Sequence, residues 1–162
     1  MNNALGSVNI NGGTLTSTGA GNVINVNGGS NSLTFAGNIN QSGSGSTVNA
    51  SGHSGGSLIF NTGILATTNG NGLQFNDADG TYTFNGTTTL NGGDAGIDIT
   101  NGSAGSFTFG TNTSITNPTG TGLNVNGSAA TVNYQGSIAK NTAGNIVTIC
   151  LLYTSPSPRD RG

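Results

Sequence analysis

Three columns of apolar residues recur together along this chain at a spacing near 25, and that periodicity constrains the fold more than any other feature. The first column holds Ile24 and Val26, Val48 and Ala50, Leu73 and Phe75, Ile97 and Ile99, Leu123 and Val125, and Val147 and Ile149. Its leading members lie 24, 25, 24, 26 and 24 residues apart. The second holds Val8 and Ile10, Leu33 and Phe35, Leu58 and Phe60, Tyr82 and Phe84, Phe107 and Phe109, and Val132 and Tyr134, at steps of 25, 25, 24, 25 and 25. A third column of single aliphatics, Leu15, Ile39, Ile64, Leu90, Ile115 and Ile138, keeps pace at steps of 24, 25, 26, 25 and 23.

Within each pair one polar residue separates two apolar ones, the signature of a strand whose side chains alternate between faces. A short unit with three such segments cannot bury its own apolar side, but it can do so by stacking on copies of itself. The expected fold is all-β, a right-handed parallel β-helix with about 25 residues and three strands per coil, in roughly five to six coils. An antiparallel meander is the competing arrangement, because Asn-Gly pairs also mark hairpins. A meander, however, gives no reason for each strand to resemble the strand three places on. The shorter periods of six- and nine-residue solenoids are not present. Gly72, Gly96 and Gly122 precede first-column strands, and Gly37, Gly86 and Gly136 follow second-column strands, so these glycines are expected at corners. Asn101-Gly102 and Asp79-Gly80 suit turns.

Gly, Asn, Thr and Ser supply 96 of the 162 residues, and charged residues only 5%. Leu, Ile, Val and Phe make up 21%, close to the level below which chains stay disordered, but the high net charge typical of disorder is missing. With a net charge of -2 and three basic residues, the chain lacks the cationic footprint that nucleic acid demands. One Cys excludes a disulfide framework and a Cys-based zinc site. No apolar run approaches the length of a membrane span.

The repeated strand–turn–strand units GIDITNGSAGSFTFG (96–110) and GLNVNGSAATVNYQG (122–136) resemble the Gly/Asn/Thr-rich repeats of large bacterial surface and secreted proteins, the pectin-lyase-like β-helices of autotransporter-type and filamentous adhesins. The resemblance spans roughly residues 7 to 149. It implies export to the cell surface or medium and a stalk or adhesive role, and it transfers no catalytic motif. The repeats read as one β-helix fragment over 1–149. It is expected to be entered at a second-column strand at Val8, without the first-column strand of that coil, and the opening residues lack the basic-then-apolar pattern expected of a signal peptide. The remainder, 150–162 (CLLYTSPSPRDRG), holds the only Cys, two of three Pro and two of three basic residues. It resembles translated sequencing-adaptor or vector read-through and reads as a non-native or disordered tail, so Cys150 is assigned no chemistry.

Polysaccharide-cleaving β-helices resemble this fold and place clustered acids on an outer face, as acid–base chemistry needs paired carboxyls whose proton affinities are pushed apart. The acids here are Asp77, Asp79, Asp94, Asp98 and Asp160. In the coil register Asp98 falls on the outward side of the first column beside Gln74 and Asn124, two amides rather than a second acid. Asp77 and Asp79 fall in the turn between the first and second strands and Asp94 in the turn before the first, while Lys140, the only basic residue of the repeats, is expected about two coils beyond Asp98 and near a different corner. The stretch NDADG (76–80) loosely resembles a calcium loop but lacks the bidentate Glu and further oxygens, and GGDAGID (92–98) misses the calcium-roll pattern by one residue. Asx turns explain both stretches. His53, in the Ser/Gly run SGHSGGS (51–57), reads as a solvated loop histidine.

Every aromatic outside the tail is expected inside, leaving no exposed ring platform for a lectin-like site. Outward columns carry Thr34, Thr83 and Thr108, and Asn25, Asn49 and Asn124, amides able to hydrogen-bond up the stack. N-x-S/T triplets such as Asn101-Gly102-Ser103 follow from composition. The expectation is therefore a structural or adhesive segment with no catalytic, cofactor-binding or metal-binding residue, the alternative being part of a carbohydrate-active β-helix enzyme whose active site lies elsewhere. Expected partners are host or environmental surfaces or glycans, with end-to-end self-association and neither nucleic acid nor a membrane span.

Overall fold

A computed structural model describes residues 1–94 and 96–152. Tyr153, Asp160 and all of the assigned tail beyond residue 152 lie outside the described residues. The described chain winds through about six turns of three strands. The first turn carries β1 (Asn2–Ala4), β2 (Ser7–Ile10) and β3 (Thr14–Ser17). The second carries β4 (Ile24–Gly29), β5 (Ser32–Phe35) and β6 (Asn38–Gln41), and the third β7 (Ser46–His53), β8 (Ser57–Phe60) and β9 (Ile64–Thr68). The fourth has β10 (Gly72–Ala78), β11 (Thr81–Phe84) and β12 (Thr87–Asn91), and the fifth β13 (Gly96–Thr100), β14 (Ser106–Phe109) and β15 (Thr113–Thr116). The sixth has β16 (Leu123–Ser128), β17 (Thr131–Tyr134) and β18 (Ser137–Ala139), and β19 (Val147–Leu151) opens another. Every third strand pairs in parallel, giving one sheet of seven strands and two of six.

The register is the one that the periodicity implies in the first two sheets. Ile24 pairs with Val48, Val48 with Leu73, Leu73 with Ile97, Ile97 with Leu123 and Leu123 with Val147. In the second sheet Ile10, Phe35, Phe60, Phe84, Phe109 and Tyr134 form one unbroken column. All six Phe are buried. The central rings stack face to face, Phe60 on Phe84 at 4.7 Å, Phe84 on Phe109 at 5.1 Å and Tyr82 on Phe107 at 4.6 Å, while the outer pairs Phe35–Phe60 and Phe109–Tyr134 are tilted at 6.2 and 6.0 Å, all separations that aromatic pairs favour. Burying each large side chain contributes about 1.5–3 kcal/mol, so these columns are the principal source of cohesion.

The third sheet departs from the expected single column. Ile39 pairs with Leu65, not Ile64, and Ile64 points outward, 53% exposed. The corner before it, Asn61-Thr62-Gly63, is one residue longer than Ala36-Gly37, and one extra residue flips every following side chain to the other face. A second displacement follows, with Leu65 opposite Thr88 and Leu90 opposite Thr67. Apolar side chains thus occupy one inward rank in Leu15, Ile39 and Leu65, then the neighbouring inward rank in Leu90, Ile115 and Ile138. The places they leave are taken by Gln41, Thr67, Thr88 and Thr113, all buried.

The first turn is also fuller than the sequence reading has it. β1 is present and lies on the end of β4, Asn2 opposite Asn27 and Ala4 opposite Gly29. At the other end β19 runs through Cys150 to Leu151, with Cys150 opposite Asn126 and exposed. Gly37, Gly86, Gly122 and Gly136 lie at corners as expected, whereas Gly72 and Gly96 open β10 and β13 as paired strand residues. A Cβ on Gly37 or Gly136 would collide with the backbone of the preceding turn, at Gly13 and Thr113 respectively. Between the first and second sheets the chain bends instead through a left-handed residue in every turn: Asn3 (φ 45), Gly28 (69), Gly52 (60), Asp77 (53), Asn101 (53) and Gly127 (58). Only Gly, Asn and Asp occupy this column, the residues that tolerate such a conformation.

Candidate functional site

The left-handed column decides where His53 goes. After Gly52 the strand alternation is reset, and the next side chain turns into the core, as do Ala78 and Ser128 in other turns. His53 is therefore fully buried, contrary to the solvated loop expected from its Ser/Gly surroundings. Its Nε2 lies 2.9 Å from the Asn31 carbonyl and its Nδ1 2.7 Å from the Tyr82 hydroxyl. A carbonyl only accepts, so Nε2 carries the hydrogen, and Nδ1 accepts from the Tyr82 O–H. The same hydroxyl oxygen accepts the Gly80 N–H at 3.3 Å. Burial drives the Tyr82 phenol far above its ordinary value of 10, with the Gly80 N–H pulling the other way. Burial also pushes Tyr134 up to about 12.

This chain of donors and acceptors ties three successive turns together. Removing one member strands buried partners, and each stranded group costs about 1–3 kcal/mol. Tyr82→Phe is expected to lose about 1–3 kcal/mol and His53→Ala about 2–4 kcal/mol, with the double variant losing less than the sum. Chemical denaturation of the four proteins checks this; strict additivity would mean that the two side chains do not share the network.

The acids stand as follows. Asp98 sits mid-ladder on the outer face of the first sheet, where Gln74 Nε2 donates to Oδ2 at 2.7 Å and Asn124 Nδ2 to Oδ1 at 2.9 Å. Asn49 likewise donates to Asn25 at 2.8 Å, so the expected amide stack is present on this face. Asp79 caps the next turn by accepting the Ala104 N–H at 2.9 Å, and Asp77 serves in the left-handed column.

Lys140, between β18 and β19, belongs to the same column of corners as Asp94, between β12 and β13. It reaches back one turn to the carbonyls of Pro118 (2.7 Å), Gly120 (2.5 Å) and Thr119 (3.5 Å), and Asp94 lies against Gly120 from the other side. Burial raises the Asp94 carboxyl above its ordinary value of 3.8 and the Asp98 charge adds to the rise, while the Gly120 N–H and Lys140 oppose it. A carboxyl that holds its proton more tightly in the folded state favours folding in acid. That contribution is present below 3.8 and is lost as pH rises through the raised value. Asp94 is exposed, so solvent screening keeps the effect small. Asp94→Asn is expected to stabilise the chain at neutral pH by a few tenths of a kcal/mol at most and to be neutral in acid. Urea titrations at both pH values check the sign.

Asp98 on the strand and Lys140 at the corner thus both act on Asp94, but the oxygens of Asp98 and the ammonium of Lys140 are already engaged. Both Asp98 oxygens accept amide protons, and Lys140 donates to backbone carbonyls. Among the described residues no cluster of three His, Cys, Asp or Glu could hold a metal ion, and no helix is long and apolar enough to cross a membrane.

Two of the three outer faces are uncharged. Asp77, Asp79, Asp94, Asp98 and Lys140, the acidic and basic side chains among the described residues, all lie on the first sheet or its flanking turns. The second sheet presents Ser7, Ser32, Ser57, Thr81, Ser106 and Thr131 in one outward rank, and Asn9, Thr34, Ile59, Thr83, Thr108 and Asn133 in the next. Thr34, Thr83 and Thr108 are recognisable from the repeats alone, whereas the parallel rank emerges only when the register is fixed. No family model, curated protein or solved structure matches the chain.

Proposed function

We propose that the chain is a structural and adhesive solenoid segment of a large bacterial protein, secreted or displayed at the cell surface, with no catalysis in this stretch. The continuity of the ladders supports this reading most directly. Sheets of seven, six and six parallel strands run the whole described length, so bending or stretching the rod must strain many hydrogen bonds at once. The autotransporter-type resemblance of 96–110 and 122–136 supplies the export and surface half of the proposal. Antiserum raised against this chain should label intact cells that produce the parent protein, and external protease should remove the label. Labelling only after lysis would contradict the proposal.

The alternative of a carbohydrate-active enzyme gains something from the nearness of Asp98 and Lys140 to Asp94. It loses more, since an acid–base pair needs free oxygens facing a substrate, and those of Asp98 are held by Gln74 and Asn124. Release of new reducing or unsaturated ends from a polysaccharide by the isolated chain, lost in Asp98→Asn, would favour the enzyme.

A further inference from the structure

We propose that the outer face of the second sheet binds ice, its ligand being the oxygen lattice of crystalline water. Regularity singles out this face. Its six strands are each four residues long and pair without a register shift. The first sheet, by contrast, is interrupted at Gly72/Leu73 and at Asn126/Ser128, and the third shifts its apolar rank. Flat many-stranded sheets need stacked side chains to hold them, and here the ring ladder lies directly beneath. In the middle turns, Phe60–Phe84–Phe109 and Tyr82–Phe107, the rings are 4.6–5.1 Å apart and inclined by only 9°, 12° and 17°, whereas Phe35 on Phe60 and Phe109 on Tyr134 are tilted by 54° and 48°.

The chemistry of the face matches its geometry. Nine of its twelve outward side chains are Ser or Thr, the others being Asn9, Ile59 and Asn133. A hydroxyl both donates and accepts, as each water in ice does. The two ranks lie two residues apart, about 6.6 Å in parallel strands, and neighbours along each rank about 4.8 Å, a rectangular net of the same order as the oxygen repeat on the prism face of ice. β-branched Thr is stiff at χ1, so its hydroxyl and methyl are held in place before binding. The absence of charge from this face suits a neutral ligand, since a charged group would hold its own water shell against the lattice. A glycan is the poorer fit, because the rings that would stack on sugars are turned inward.

The inference names one surface for the adhesive half of the proposed function and rests on that reading only there. The full chain, labelled with a fluorophore at exposed Cys150 on the first sheet, is frozen slowly from solution and its distribution between ice and liquid is measured. The chain is expected to enter the ice and to slow ice recrystallisation. Thr83→Lys with Thr108→Lys should exclude it from ice while circular dichroism remains that of the parent, and Thr89→Lys on the third sheet should change nothing. Ile59→Thr, which joins Thr34 to Thr83 and Thr108 in one unbroken run, should strengthen retention and keeps the test open even if the lysine variants fold poorly. Exclusion of the folded parent chain from ice, equal retention of the folded double-lysine variant, or binding to microcrystalline cellulose without binding to ice would overturn the assignment. Each of these leaves the rod reading standing, which fails only if the ladders themselves are absent.

Discussion

Phe84→Asp is expected to unfold the chain, whereas Thr83→Asp, one residue away, leaves it folded. Phe84 is fully buried between Phe60 at 4.7 Å and Phe109 at 5.1 Å, with Phe75 edge-on at 6.3 Å. Removing the ring alone costs about 3–5 kcal/mol. A carboxylate in its place adds an unpaired buried charge, several kcal/mol more in effect, against a whole-domain stability of about 5–15 kcal/mol. Thr83 points the other way, opposite Ile59 and Thr108 on the uncharged outer face, where an acid stays solvated. Far-UV circular dichroism and urea titration of both variants read the difference. Similar losses in the two would mean that the assigned alternation is wrong.

Deleting one whole turn should be far less damaging than deleting half of one. Removal of 97–122 brings Leu123 into the place of Ile97, because those two residues are register partners, and the second- and third-sheet strands follow in phase. A solenoid's stability is approximately a sum over turns and their interfaces, so the shortened chain keeps its parallel sheets at reduced stability. Removal of 97–109 takes out β13 and β14 and drives β15 into a first-sheet position, where its inward pattern faces the wrong partners. The first deletion is expected to retain β structure and cooperative unfolding, and the second to lose both. Equal damage from the two would count against stacking by whole turns.

These expectations draw on what was legible in the sequence. The first two columns were, because their corners vary little in length and the pairs Leu73/Phe75 and Tyr82/Phe84 keep strict alternation. The third column was misread at Ile64 because a single added corner residue changes which of two adjacent aliphatics faces inward, and Ile64-Leu65 offers both. His53 was misread for a related reason. A left-handed Gly52 turns the following side chain inward, and that dihedral is invisible in a run of Ser and Gly. The surroundings of Asp98 were legible from register alone, since Gln74 and Asn124 are one turn away on either side. The approach of Lys140 to Asp94 was not, because a long flexible side chain reached across the corner to carbonyls that no residue pattern marks.

Distances along the second sheet test the central claim most directly. Asn9, Thr83, Thr108 and Asn133 share one outward rank, separated from Asn9 by three, four and five turns. With Cys150→Ser removing the native thiol, spin labels at position 9 paired with 83, 108 or 133 should give distances rising by about 4.8 Å per turn. Distances that fail to lengthen in that order would show that successive windings do not lie one above another.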